Sequence, residues 1–93
     1  MAKVFVVDSE SKANVKVYPV NYESQADLLY YEVNSEGQAK GDAKWFYVKS
    51  ESQATAKIYW VKYESQAEIK VFKIKYESQA KWNKSHKFVN RLG

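Results

Sequence analysis

Tyr63-Glu64-Ser65-Gln66-Ala67-Glu68-Ile69-Lys70-Val71-Phe72-Lys73-Ile74-Lys75-Tyr76-Glu77-Ser78-Gln79-Ala80 holds one complete unit and the start of the next. The string Tyr-Glu-Ser-Gln-Ala recurs at 22–26, 63–67 and 76–80, and altered copies stand at 9–13, 35–39 and 50–54. The alanines closing these copies, Ala13, Ala26, Ala39, Ala54, Ala67 and Ala80, are spaced 13, 13, 15, 13 and 13 residues apart. The longer interval contains the extra pair Gly41-Asp42. A fixed period of this kind marks a chain built from copies of one small structural unit. Six units fill residues 1–81, and 82–93 form an irregular tail.

Aligned, the units show what each position does. One column is aromatic throughout: Phe5, Tyr18, Tyr31, Phe46, Tyr59, Phe72. Two residues later every unit has a β-branched residue: Val7, Val20, Val33, Val48, Val61, Ile74. Two residues before the aromatic stand Lys3, Lys16, Leu29, Lys44, Lys57 and Lys70. Between that column and the aromatic lie Val4, Val17, Tyr30, Trp45, Ile58 and Val71. Short β-branched and aromatic runs bounded by Ser, Asn and Glu are strands, and no helical spacing is sustained over ten residues. Glu-Ser-Gln-Ala is long enough for a turn or a single helical turn only. Side chains alternate across a strand, so each strand is apolar on both faces. The expectation is an all-β single domain over 1–93: six strand-turn repeats of about thirteen residues plus the tail, in one compact closed or self-wrapped body.

Further expectations concern packing. Ala in every unit implies close approach of two chain segments, where a larger side chain collides. Gln25, Gln38, Gln53, Gln66 and Gln79 are suited to hydrogen-bond such a segment. A straight parallel solenoid would stack the repeated Glu and Lys on their own kind, which is unfavourable, so a topology bringing Lys near Glu is favoured. Pro19 cannot donate to a ladder, which places its strand at an edge or a bulge. In the tail, Trp82, Phe88, Val89 and Leu92 are apolar enough to dock, and 86–90 reads as a closing seventh strand.

The tandem Tyr-Glu-Ser-Gln-Ala units, each with its short apolar strand, resemble a family of small uncharacterised bacterial β-repeat proteins. The resemblance covers residues 2–81 and is expected to extend into the tail. It implies a topologically knotted β fold with seven crossings, the septoil knot, and it carries no activity and no functional residue. Lys12, Gly37 and the Gly41-Asp42 insertion depart from the repeat.

The chemistry-bearing residues argue against an enzyme. Repeated Glu, Ser and Gln are the opposite of a single constellation of unlike groups, and the serines lack an adjacent base. Cys is absent and His86 is the only His, so neither a disulfide nor a zinc site is indicated, and His86 reads as a surface residue of the tail. Gly37 and Gly41 are isolated turn glycines, not a phosphate loop. The expectation is no cofactor and no metal. Charge is uneven. Residues 1–46 carry five Lys against seven acidic groups, net −2, and residues 47–93 carry nine Lys and one Arg against four Glu, net +6. One further column, Val6, Pro19, Glu32, Tyr47, Trp60, Lys73, varies from Pro to Trp, as a partly exposed position does. Trp45, Tyr47 and Trp60 read first as core filling in a small protein short of buried area; the alternative is that Trp45, Tyr47, Trp60, Lys62, Lys73 and Lys75 form a binding surface suited to nucleic acid or another anionic ligand. The leading expectation remains a non-enzymatic, highly stable β-repeat scaffold. It would be a cytoplasmic monomer without a membrane anchor, since no signal peptide, no transmembrane run and no Cys is present.

Overall fold

In the computed structural model, residues 2–84, 86–89, 91 and 92 are described. Each aromatic column lies in a strand: β1 (Ala2–Val6), β2 (Val15–Pro19), β3 (Leu28–Glu32), β4 (Lys44–Tyr47), β5 (Ala56–Trp60) and β6 (Ile69–Lys73). Each Glu-Ser-Gln segment, or its variant, is one 3-10 turn: η1 (Glu10–Lys12), η2 (Glu23–Gln25), η3 (Glu36–Gln38), η4 (Glu51–Gln53), η5 (Glu64–Gln66) and η6 (Glu77–Gln79). The following Ala closes the turn by donating its N–H to the Glu carbonyl, as Ala26 does to Glu23 at 3.2 Å. A short strand β7 (Lys81–Trp82) comes last.

The strands close into a ring in the order β1-β5-β2-β6-β3-β4 and back to β1, and all six pairings are parallel. Consecutive units skip one place in the ring. β1, β2 and β3 make a first lap, leaving gaps, and β4, β5 and β6 fill those gaps on a second lap. Every strand of the ring is thus flanked on both sides by strands of the other lap. The step from β3 to β4 is the exception. A full step there would land on β1, so the chain advances one place only. The extra Gly41-Asp42 lies in this connection, with Gly41 at φ 69°, a left-handed conformation that glycine adopts without penalty.

Each turn other than η3 passes outside the strand that its unit skips. Around η1, Val7 N–H donates to Ile58 O and Asn14 N–H to Lys57 O, both on β5. The segments around η2, η4, η5 and η6 attach in the same way to β6, β1, β2 and β3. The barrel therefore has an inner wall of strands and an outer layer of turns. Val7, Val33, Val61 and Ile74 are buried between the two layers, and Ala26, Leu29 and Ile74 form a small outer cluster there.

Neighbouring strands are offset by two residues at every pairing, for example Phe5↔Lys57 and Lys3↔Phe46. This stagger resolves the charge conflict anticipated for parallel units. The Lys column meets the aromatic column and never another Lys. Lys16, Lys57 and Lys70 pair with Glu10, Glu51 and Glu64 of the turn preceding each, at 3.1, 3.3 and 3.1 Å. Lys3 and Lys44 instead reach Glu36 and Glu77 of other units, at 2.9 and 3.3 Å. Such half-exposed pairs contribute at most about 1 kcal/mol each.

Inside, side chains stack in three layers. Ala2, Val15, Leu28, Ala43, Ala56 and Ile69 form the base, and Val4, Val17, Tyr30, Trp45, Ile58 and Val71 form the middle; all are buried. The third layer is the rim at the C-terminal strand ends. Three of the base residues are alanines, Ala2 on β1, Ala56 on β5 and Ala43 just before β4, on contiguous places of the ring, and Leu92 of the tail is buried in the same cluster.

Three expectations are corrected. The closing strand at 86–90 is not formed: residues 87–89 make a turn, and the seventh strand is β7, antiparallel to β3. Asn90 lies outside the described residues. Apolar content alone could not tell a docked loop from a strand. Pro19 is not on an edge strand, since β2 lies between β5 and β6. It is tolerated because it ends the strand, two residues after the ladder to β5 finishes at Val17↔Trp60. The glutamines are exposed. The bonds to neighbouring segments come from the next column instead, described below. The alanines divide: Ala26 and Ala39 are fully buried, while Ala13, Ala54, Ala67 and Ala80 are half-buried. Among the described residues no helix is long and apolar enough to cross a membrane.

Candidate functional site

The rim layer is the variable column. In ring order it runs Val6, Trp60, Pro19, Lys73, Glu32, Tyr47. Alternation points these residues inward, and their position at the strand ends leaves them only partly covered. Val6, Pro19, Glu32 and Lys73 are exposed, and Tyr47 and Trp60 are half-buried. Strands β6 and β3 are neighbours, so Lys73 Nζ meets Glu32 Oε1 at 3.1 Å. The hydrogen bond and the charge of Glu32 hold the Lys73 ammonium above its usual pKa.

Below the rim the aromatic residues pack on one another. Tyr30 stacks on Trp45 with centroids 4.0 Å apart, and Tyr47 meets Trp45 edge-on at 6.3 Å. Trp45 Nε1–H donates to Asp42 O. Burial raises the phenols of both Tyr30 and Tyr47, and takes Tyr47 well above the ordinary tyrosine range; the hydrogen bond between them raises Tyr47 further and lowers Tyr30 in part. At neutral pH both are O–H groups, able to hydrogen-bond but poor bases or nucleophiles. Outside the rim a cleft of about 570 Å³ is lined by Tyr31, Glu32, Asn34, Lys73, Ile74 and Lys75.

The residues nominated from sequence do not form one patch. Trp45 is fully buried in the middle layer and is no surface residue, because it sits one alternation deeper than Tyr47 on the same strand. Tyr47 and Trp60 are on the rim but are separated by Val6 of β1. Lys73 is on the rim and ion-paired, while Lys75 shares the cleft with it. Lys62 is exposed past the end of β5.

Sequence reasoning missed the column directly after each repeat alanine. Asn14, Asp27, Thr55 and Glu68 each make a two-point backbone clamp on the strand their unit crosses. Asn14 N–H donates to Lys57 O at 2.7 Å, and Asn14 Oδ1 accepts Lys57 N–H at 3.0 Å. Asp27 clamps Lys70, Thr55 clamps Lys3 and Glu68 clamps Lys16 in the same way. The signal was an oxygen-bearing side chain at a fixed place in four units; Lys40 and Lys81 break it.

At the base, Asp42 from the insertion gathers three segments. Its carboxylate accepts Trp82 Nε1–H at 2.8 Å and Leu92 N–H at 3.0 Å, and the Leu92 carbonyl accepts the Thr55 hydroxyl at 2.7 Å. His86 is half-buried, not a surface residue as its place in the tail suggested. Its ring stacks on Trp82 with centroids 5.3 Å apart. Its Nδ1 accepts Phe88 N–H at 3.2 Å, which leaves Nε2 facing Asp27 Oδ2 at 3.8 Å. Among the described residues no group of three or more His, Cys, Asp or Glu is placed to hold a metal ion.

The profile of one protein family, described as the 7(1) septoil knot domain, matches residues 1–83. Neither the curated proteins nor the solved structures give a match.

Proposed function

The chain belongs to the septoil knot domain family, and on that premise we propose that it acts as a non-enzymatic scaffold whose working property is slow unfolding. The observation that carries this reading is the interleaving of the two laps. β1 is held by β4 and β5, β2 by β5 and β6, and β3 by β6 and β4. No strand of the ring leaves without opening two ladders, and the turns outside the wall block its path. A knotted chain adds a further barrier, since tension tightens it before it frees an end. Loss of structure is then limited by a rate rather than by an equilibrium.

Nothing at the rim asks for a catalytic reading. Glu32 is spent on Lys73, and the two tyrosines hold their protons. The decisive measurement is the unfolding rate in guanidinium, extrapolated to water, together with digestion by a processive protease pulling from one terminus. Unfolding over hours or longer and stalled digestion are expected. A half-life of seconds in water would remove the proposal.

A further inference from the structure

Tyr22, Tyr63 and Tyr76 are 67 %, 66 % and 66 % exposed, the most exposed large apolar side chains of the described residues. Each stands just before a turn, three residues past the last residue of a strand. The three turns are neighbours in space in the order η5, η2, η6, which is not their order in sequence. η5 lies over β2, η2 over β6 and η6 over β3, and these strands are contiguous in the ring. The other three turns, η3, η4 and η1, begin with Ser35, Ser50 and Ser9 and cover β4, β1 and β5. The barrel therefore has a tyrosine half and a serine half.

The tyrosine half is also supplied with cations. Lys62 immediately precedes Tyr63, Lys75 precedes Tyr76, and Asn21 precedes Tyr22. Neither Lys62 nor Lys75 is ion-paired among the described residues. Two clefts flank the segment Lys73-Ile74-Lys75: the one of about 570 Å³ already described, and one of about 210 Å³ reaching Phe72, Tyr76, Gln79 and Glu23. The glutamates of two of these turns are engaged, Glu64 with Lys70 and Glu77 with Lys44.

We propose that the tyrosine half binds single-stranded nucleic acid. A ring with a hydrogen-bonding or cationic neighbour, repeated on three adjacent turns, matches a polymer that repeats a planar base and an anionic phosphate. Bases stack on exposed rings whatever their sequence, and lysines meet the backbone. A neutral polysaccharide would use the rings but gain nothing from Lys62 and Lys75. A polyanion without bases would use the lysines but not the rings. The binding surface draws on both halves of the chain, and it is independent of the slow unfolding proposed above: either can fail alone.

The test is fluorescence anisotropy with labelled 12-mers of deoxythymidine and of uridine, at two salt concentrations. Saturable binding at micromolar protein in low salt is expected with at least one, and the two probes distinguish a DNA from an RNA ligand. Tyr22→Ala, Tyr63→Ala and Tyr76→Ala each weaken it about tenfold, the loss of one stacked base. Tyr76→Phe, which keeps the ring, restores it. Lys62→Gln with Lys75→Gln flattens the log–log salt slope by about 1.4, the loss of two phosphate contacts on a single strand. Lys49→Gln, on the serine half, changes nothing. Circular dichroism confirms that each variant is folded. No binding at about 50 μM protein in low salt overturns the proposal. So does binding that heparin competes away equally well and that the tyrosine variants do not alter.

Discussion

The two ends of the barrel are built from the same repeat and end differently. At the base, small residues on β1, on β5 and just before β4 leave room that the tail fills with Leu92, and the buried Asp42 ties Trp82 and Leu92 in place. At the rim the same inward column ends in Val6, Pro19, Glu32 and Lys73, all exposed. One end is closed by chain that departs from the repeat, and the other is left to solvent. The lesson is that copying a unit produces the wall, whereas each end is finished by whatever breaks the copy. The family match stops at residue 83, so Phe88 and Leu92 of the plug lie beyond it.

The contrast predicts a graded response to substitution, read from equilibrium denaturation after long incubation. Asp42→Ala at the base has the largest effect, a loss of about 3–5 kcal/mol, because one buried and one part-buried donor lose a charged acceptor at once. Leu92→Ala follows at about 2–4 kcal/mol, by leaving a cavity in the plugged end. A loss below about 1 kcal/mol for both would mean that the tail does not close the base. Asn14→Ala, which removes half of one clamp on β5, costs about 0.5–1.5 kcal/mol. Glu32→Gln at the rim costs less than about 0.5 kcal/mol, since its pair with Lys73 is exposed and screened. A rim substitution as damaging as Asp42→Ala would abolish the distinction between the ends.

Alkali sharpens the same contrast from the rim side. The folded-state pKa values of Tyr30, Tyr47 and Lys73 are raised. Stability from a raised group is complete below its unfolded value and is lost as pH climbs toward the folded one. Stability should therefore be level through neutral pH and fall above about pH 10, where the unfolded phenols ionise. Tyr47→Phe should remove part of that fall, while Asp42→Ala should leave its slope unchanged. A profile that is flat to pH 12 would show that the Tyr30–Tyr47 pair is solvated.

How much of this was legible varies by residue. The strands were readable because Phe5, Tyr18 and their equivalents recur with β-branched partners, and the two-faced apolar pattern pointed to a closed body. The inward column at Tyr47 and Trp60 was readable as partly exposed because it tolerates Pro, Glu and Lys. Trp45 was readable both as core filling and as part of a surface patch, and its depth in the barrel decides for the core. His86 lies in the tail but is half-covered, because Trp82 of β7 and Phe88 of the turn after it pack against its ring, and no repeat predicts either contact. The glutamines drew attention by their sameness, yet the clamps are made by Asn14, Asp27, Thr55 and Glu68, which are not identical. What they share is a side-chain oxygen at one geometric position.

Periodicity, strand identity and the division into repeat and tail follow from the sequence alone, because they depend on side-chain alternation and local turn chemistry within about thirteen residues. Parallel pairing, the skipped place, the two-residue stagger and the grouping of Tyr22 with Tyr63 and Tyr76 were decided by the tertiary structure. Each depends on which unit lies beside which. Near-identical units offer near-identical edges, so no local signal ranks their neighbours. Ring closure and the single short step at Gly41-Asp42 do so, by leaving each second-lap strand one vacant place.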